Sequence, residues 1–321
     1  MIEITDIHKR YGSVEAVRGV SFAVGAGEIV GLLGPNGAGK TTILKILTGF
    51  HYPDAGSARI GGQDVTERPR EVKSRLGYLP ENAPLYGELT VAEYLHFLAA
   101  ARGVPRDQIA ARCSEAAVAC GVTEVLHRQI SKLSKGYRQR TGLAQAMLHD
   151  PDILILDEPT SGLDPNQIVE MRRLIRSLGK EKTVILSSHI LQEVEAVCDR
   201  VLILHQGRVA AAGTAEQIAA EVAGAGRWRV TLIVADAPGA GGAEALFASV
   251  PGCTAVEAVG HEPRGGRSRV SAEVSLVGTG DRDPGEIIFD WACAQGHKLV
   301  EVAPVQRRLE ELFTRLTGES S

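Results

Sequence analysis

The stretch Gly34-Pro35-Asn36-Gly37-Ala38-Gly39-Lys40-Thr41-Thr42 decides the fold. Its glycines let the backbone wrap a phosphate chain with N–H groups, and a helix starting at Lys40 aims its positive end at the same place. Lys40 is placed to reach the β- and γ-phosphates, and the Thr41 hydroxyl to ligate Mg2+. Asn36 and Gly37 add backbone donors, so the whole loop from Gly34 to Thr42 is assigned to phosphate binding. Glu28–Leu33 before it reads as a strand and Lys40–Leu47 after it as a helix, the context this chemistry requires.

A second site lies at Ile153-Leu-Ile-Leu-Asp157-Glu158. An apolar run that ends in acid reads as a buried strand delivering carboxylates to the carboxyl edge of a sheet, where open α/β sheets bind ligands. Asp157 is assigned to Mg2+, mostly through water, and Glu158 to orienting or deprotonating an attacking water. Leu76–Leu79, Thr183–Leu186 and Val201–Leu204 are short, apolar and rich in branched residues, the texture of a mostly parallel sheet. Ile2–Ile7 and Val20–Val24 read as further strands between glycine turns. Residues 85–149 instead read as helices: Thr90-Val-Ala-Glu93 is a capping box, with helices near Asp107–Cys120 and Tyr137–Leu148. Another helix starts after Asp164-Pro165, with proline in its favoured first position. The fold class is therefore α/β, a P-loop NTPase core carrying a helical insertion.

Composition bounds the partners. At about 150 residues per domain, 321 residues imply two domains. Lys plus Arg is 35 against 39 Asp plus Glu, a net charge of −4. The isoelectric point near 6.2 opposes a nucleic-acid footprint, which pushes a domain above about pI 9; no nucleic acid is expected. With 44% hydrophobic and 23% charged residues the chain is globular. Five cysteines without a C-x-x-C pair read as small buried hydrophobes in a reducing compartment. The start, MIEITDIHKRYG, lacks a secretory pattern, and no apolar run approaches the roughly 18 residues of a membrane span. The expectation is a cytoplasmic chain whose membrane work goes through a partner.

Near residue 222 the texture changes. A Gly/Ala-rich linker at 222–226 precedes strand Arg227–Val234, helix Gly242–Ser249, strands Cys253–His261 and Arg269–Val277, helix Pro284–Gln295 and strand Lys298–Val302. That β-α-β-β-α-β order spells a small ferredoxin-like α+β domain, closed by an amphipathic helix over Val305–Leu316. The expected domains are 1–221 and 227–321. Arg264-Gly-Gly-Arg267-Ser-Arg269 reads as a solvated hairpin loop, with an anionic-lipid or partner contact as the alternative. The strands suggest no converging polar groups, so this domain is expected to pack and support a dimer, with a ligand sensor as the alternative.

Taken in order, the motifs resemble the nucleotide-binding subunit of ABC transporters over residues 1 to about 220. Tyr11 stands where that family stacks an aromatic on adenine. Leu133-Ser134-Lys135-Gly136-Tyr137 stands at the family signature, usually LSGGQ, and Ser161-Gly-Leu-Asp164 at its dimer-contact loop. His189 matches the switch histidine. The resemblance implies a head-to-tail dimer, of this chain with itself or with a related ATPase subunit. ATP would lie between one phosphate loop and the other subunit's Ser134 and Gly136, with Asp164 beside it. Glu158, His189 and Glu81 would be catalytic, and Thr41, Asp157 and Glu81 would surround Mg2+.

Lys135 and Tyr137 replace Gly and Gln, and Glu81 follows Leu79-Pro80 where Gln is usual. These departures, with Tyr78-Leu-Pro-Glu81-Asn-Ala-Pro84-Leu-Tyr86, resemble ATPases of gliding-motility-associated export and nitrous-oxide-reductase maturation. The implied protein is the ATP-hydrolysing motor of an exporter, docked near Glu81–Gly87 on a separate multi-span permease at the cytoplasmic face of the cell membrane. A soluble ABC ATPase acting on ribosomes or DNA is the alternative; it would carry two ATPase units or a long coiled coil, and this chain shows one phosphate loop and no heptads. A GTPase would need Asn-Lys-x-Asp, which is absent.

Overall fold

The phosphate-loop stretch joins β3 (Ile29–Leu33), buried at every position, to α1 (Lys40–Leu47). The computed structural model describes residues 2–215, 217–218, 226–235, 240–264, 267–277 and 282–305. These fall into two compact units, the first formed by the residues up to 215 and the second by those from 217 onward.

The first unit holds two sheets. β1 (Ile2–Tyr11), β2 (Val14–Val24), β4 (Ala55–Ile60) and β5 (Gln63–Asp64) form an antiparallel sheet in the order β2-β1-β4-β5. β1 and β2 run longer than the sequence suggests, because polar residues continue the pairing to Tyr11↔Val14. After α2 (Pro69–Ser74) come β6 (Leu76–Leu79), β7 (Ile153–Asp157), β8 (Thr183–Ser188), β9 (Arg200–His205) and β10 (Arg208–Gly213). With β3 they form a sheet ordered β10-β9-β3-β8-β7-β6, parallel except for β10. β7 and β8, like β3, are buried throughout, which is why their sequences read as unbroken apolar runs. Side chains from both sheets and α1, among them Val17, Val20, Ile43, Leu44, Ile155 and Leu202, share one core.

The helical insertion comprises α3 (Val91–Ala101), α4 (Ile109–Ala119) and α5 (Lys135–Met147). The capping box forms as read: Thr90 Oγ1 accepts from the Glu93 N–H at 3.2 Å, and Glu93 Oε2 accepts from the Thr90 N–H at 2.8 Å. α6 (Pro165–Leu178) starts on Asp164, whose Oδ1 accepts from the Gln167 N–H at 2.9 Å, and α7 (Leu191–Val197) follows β8. The short elements β4, β5, α2, α7 and β10 escaped the sequence reading because they carry too little apolar periodicity to register.

The second unit contains β11 (Gly226–Val234), α8 (Ala240–Ala248), β12 (Cys253–Arg264), β13 (Arg267–Leu276), α9 (Pro284–Ala294) and β14 (Lys298–Pro304). The antiparallel order β12-β13-β11-β14 is the ferredoxin-like arrangement read from the sequence. Val230, Leu232, Val270, Val274, Phe247 and Trp291 build its core. The expected closing helix lies outside the described residues beyond Val305, as do 222–225 of the linker and the two glycines of the basic hairpin. One expectation for this unit fails: polar groups do converge on the sheet face opposite α8 and α9, because strand register gathers residues that are far apart in sequence.

Where β6 meets the end of α5, His149 donates through Nε2 to the Leu76 carbonyl at 2.9 Å and accepts through Nδ1 from Arg102 at 3.2 Å. Burial and the Arg102 charge hold its pKa below the ordinary 6.5. The unfolded chain therefore takes up a proton that folded His149 refuses, and stability is lost as pH falls below about 6.5. Urea midpoints at pH 7.5 and 5.5 are expected to fall less for His149→Gln than for the native protein; an equal fall contradicts this.

Candidate active site

Lys40 opens α1 at the edge of the sheet and is nearly water-free. Its Nζ donates to the carbonyls of Gly34 (2.6 Å) and Pro35 (3.2 Å) and lies 3.4 Å from Glu158 Oε1. Thr41 Oγ1 donates to Asp157 Oδ1 at 3.2 Å. Strand pairing makes these contacts possible, since β3 and β7 both run parallel to β8 and so deliver the loop and the acid pair to one edge.

Ser187, at the end of β8, holds the acid pair. Its hydroxyl donates to Asp157 Oδ1 at 2.6 Å and accepts from the Glu158 N–H at 2.9 Å. Glu158 takes a left-handed φ of 47°, a strained state for a residue with a Cβ. Its carboxylate is fixed by Lys40 and by His189, whose Nδ1 lies 2.9 Å from Oε2. Behind it Glu193, also buried, accepts from Ser188 Oγ (3.0 Å) and from Thr160 Oγ1. This ties the loop after Glu158 to the segment that carries His189. Sequence reading missed Ser187 and Glu193; the only signal was a Ser-Ser-His run closing an apolar strand.

A cleft of ≈ 610 Å³ covers this edge. It brings together Tyr11, residues 36–42, Glu81, Glu158 and His189 with Ser161, the first residue of the dimer-contact loop, and with Arg18 and Gln206 as further lining that the sequence did not reveal. Gly34 and Pro35 act from outside the cleft through their carbonyls, and Asp157 sits beneath Thr41. Glu81 emerges after β6, beside the end of β7. Tyr11 is exposed, edge-on to His51 at 5.6 Å. Ser134, Gly136 and Asp164 do not line the cleft. Ser134 is the exposed cap of α5, its Oγ accepting from the Tyr137 N–H at 3.3 Å. Gly136 is packed so that a Cβ would come within 2.8 Å of Gln167.

Burial pushes the Asp157 carboxyl above its ordinary range; the Glu158 charge adds to this, while hydrogen bonds from Ser187 and Thr41 oppose it. Such a carboxylate gains from a nearby divalent cation. Thr41 and Asp157 offer hard oxygen donors, which fit Mg2+ completed by phosphate oxygens and water. Among the described residues no group of three or more His, Cys, Asp or Glu could hold a metal by itself. A phosphate loop facing a buried acid pair across parallel strands is the apparatus of a nucleoside-triphosphate hydrolase.

Comparison with known proteins narrows that class. The family model described as ABC transporter matches residues 17–161. The ABC transporter ATP-binding protein NatA of Bacillus subtilis (strain 168) is 39% identical over 224 residues, covering 68% of this chain and 91% of NatA. Nod factor export ATP-binding protein I of Burkholderia orbicola (strain AU 1054) is 33% identical over 326 residues, 99% of this chain and 97% of that protein. A solved ATP-binding subunit of an ABC transporter superposes with a TM-score of 0.62 at 33% identity, covering 69% of this chain and 93% of that one. The chain belongs to the ATP-binding subunits of ABC transporters. It binds ATP and hydrolyses it to drive transport, which sets aside the soluble, non-transport alternative.

The loop geometry makes a graded prediction. Gly37 (φ 84°) and Gly39 (φ 104°) are both left-handed, but a Cβ on Gly37 meets nothing within 4 Å, whereas one on Gly39 would sit 2.6 Å from the Ala16 carbonyl oxygen. Gly37→Ala should cost only backbone strain, about 1–2 kcal/mol. Gly39→Ala should cost clearly more in the thermal unfolding of nucleotide-free protein, and equal losses would contradict this packing.

Proposed function

We propose that two copies of this chain, or one copy and a related ATPase subunit, close head to tail on ATP, and that closing and reopening drive a separate multi-span permease. One observation carries this reading. Tyr11, the phosphate loop, Glu81, Glu158 and His189 line one cleft, while Ser134, Gly136 and Asp164 line none of it. A nucleotide site divided in this way is completed by a second chain. Ser134 and the start of α5 offer a hydroxyl and free backbone N–H groups, suited to a γ-phosphate.

Lys40 exchanges its carbonyl partners for phosphate oxygens; Thr41, Asp157 and Glu81 would hold Mg2+, which would supply neutralisation of the phosphate charge. Glu158 orients and deprotonates the attacking water, and His189 holds the Glu158 carboxylate and contacts the γ-phosphate. Tyr11 stacks on adenine, and Asp164 shapes the dimer-contact loop. The ATPase domain spans 1–221 and the accessory domain 227–321.

The permease docks in a groove of ≈ 560 Å³ lined by Phe50, Tyr78, Pro80, Asn82, Pro84 and Arg102, next to Glu81. No helix among the described residues is long and apolar enough to cross a membrane; the permease holds the subunit at the cytoplasmic face. Export is supported by the relative named for Nod factor export, which is matched through the second unit as well as the first. The gliding-motility and nitrous-oxide-reductase-maturation subgroup is supported by Lys135, Tyr137 and the stretch from Tyr78 to Tyr86.

Glu158→Gln tests this. The variant should bind ATP and, with ATP and Mg2+, run as a stable dimer by light scattering, while turnover falls roughly 10²–10⁴-fold, as for loss of a general base. Native turnover, or a monomer in saturating ATP, would overturn the reading.

A further inference from the structure

In the second unit α8 and α9 cover one face of the sheet, and no helix of the unit's described residues covers the other. On β11 and β13 the core takes Val230, Leu232, Val270, Ala272 and Val274. Strand alternation therefore turns Arg229, Thr231, Arg269, Ser271 and Glu273 to the opposite face. Register then lines up a row across all four strands of this sheet: Gly260 opposite Ser271, Ser271 opposite Thr231, and Thr231 opposite Glu301. The middle of the row is small, and Gly260 leaves space that a side chain could not take, since a Cβ there would lie 2.6 Å from Ser271 Oγ. Long charged residues surround it, and the result is a cavity of ≈ 300 Å³ lined by Arg229, Thr231, Glu262, Arg269, Ser271 and Glu301 around Gly260.

The pairing of charges on this face is uneven. Arg227 is bound to both Glu257 oxygens, and Arg229 Nη2 to Glu273 Oε1 at 3.0 Å. Glu262 lies directly opposite Arg269 in the register, a position where a cross-strand pair normally forms. Yet among the described residues neither makes an ion pair or a side-chain hydrogen bond. Among the described residues Glu301 has only a long contact from Thr231 Oγ1, at 3.4 Å, and Thr231 is 2% exposed. The charges that pair lie to one side of the row, and those left over line the cavity.

We propose that this cavity binds a small polar zwitterion, specifically a free α-amino acid with a polar side chain. Arg269 takes the ligand carboxylate with Ser271 beside it, because guanidinium matches a carboxylate in a bidentate fork. Glu301 and Glu262 take the ammonium, and Arg229 closes the rim while it keeps Glu273. A ligand carrying both signs leaves no unmatched charge, whereas a simple anion would face two carboxylates. Among the described residues no apolar side chain lines the cavity, so apolar amino acids are disfavoured, and ≈ 300 Å³ is at the small end of ligand sites.

The experiment is calorimetric titration of the full chain with serine, threonine, asparagine, glutamine, aspartate, glutamate, lysine and arginine in turn, each raised to about 10 mM, tenfold above a weak Kd of about 1 mM. At least one is expected to bind. Arg269→Ala and Glu301→Gln should each weaken it by about tenfold or more, the effect of losing a charge-assisted hydrogen bond. Arg227→Ala, whose ion pair lies outside the cavity on the same strand, should leave binding intact. These residues are on a surface face, so thermal midpoints near native show that the variants fold, and ATP binding should be unchanged in all of them. The proposal is overturned if no member of the panel binds, if Arg269→Ala and Glu301→Gln bind as the native chain does, or if Arg227→Ala weakens binding as much as they do.

Discussion

Lys40, Asp157 and Glu158 are held together almost without water at one edge of a parallel sheet, with 5%, 2% and 7% of their surfaces exposed. Isolated charges so buried would cost several kcal/mol each. Here they compensate one another: lysine against Glu158, the loop carbonyls on the ammonium, and Ser187 and Thr41 on Asp157. Much of the first unit serves that arrangement. The parallel pairing of β3, β8 and β7 fixes where the loop and the acids emerge, and the strained backbone at Glu158 persists because Ser187, Lys40 and His189 hold it from three sides. The arrangement is also poised: an ammonium resting on carbonyls and a desolvated carboxylate both gain when phosphate and a divalent cation arrive.

What could be read from sequence follows from how local each signal is. The phosphate loop and the Ile153–Glu158 strand announce themselves because their chemistry requires particular residues at fixed spacing. The Thr90 capping box and the Asp164-Pro165 helix start were legible for the same reason, and both form. Ser187 and Glu193 were not legible, because a serine or a glutamate near a strand end has many ordinary uses. Only strand pairing brings Ser187 under Asp157, and only the turn after β8 brings Glu193 to Thr160. The division of the nucleotide site is legible only through the family resemblance; Ser134 and Gly136 are not among the residues that line the cleft.

The second unit shows the same limit more strongly. Its element order was readable, since alternating apolar residues mark each strand, and the observed strand order follows the ferredoxin-like rule. Its chemistry was not, because Thr231, Gly260, Ser271 and Glu301 meet only through register. Among the described residues the face where they meet carries charges that pair, Arg229 with Glu273, beside charges that do not, Glu262 and Arg269.

The central claim is that each ATP is handled by two chains, and mixing two inactive variants tests it most directly. Lys40→Ala disables the phosphate loop of its own chain. Ser134→Asp keeps a good helix cap but sets a negative charge against the γ-phosphate of the other chain. Each variant alone should lack ATPase activity. A mixed head-to-tail dimer should regain it, because one of its two sites joins an intact loop to an intact Ser134. Failure of every mixture to recover activity, with both variants folded, would mean that Lys40 and Ser134 serve the same chain's nucleotide and would contradict the account.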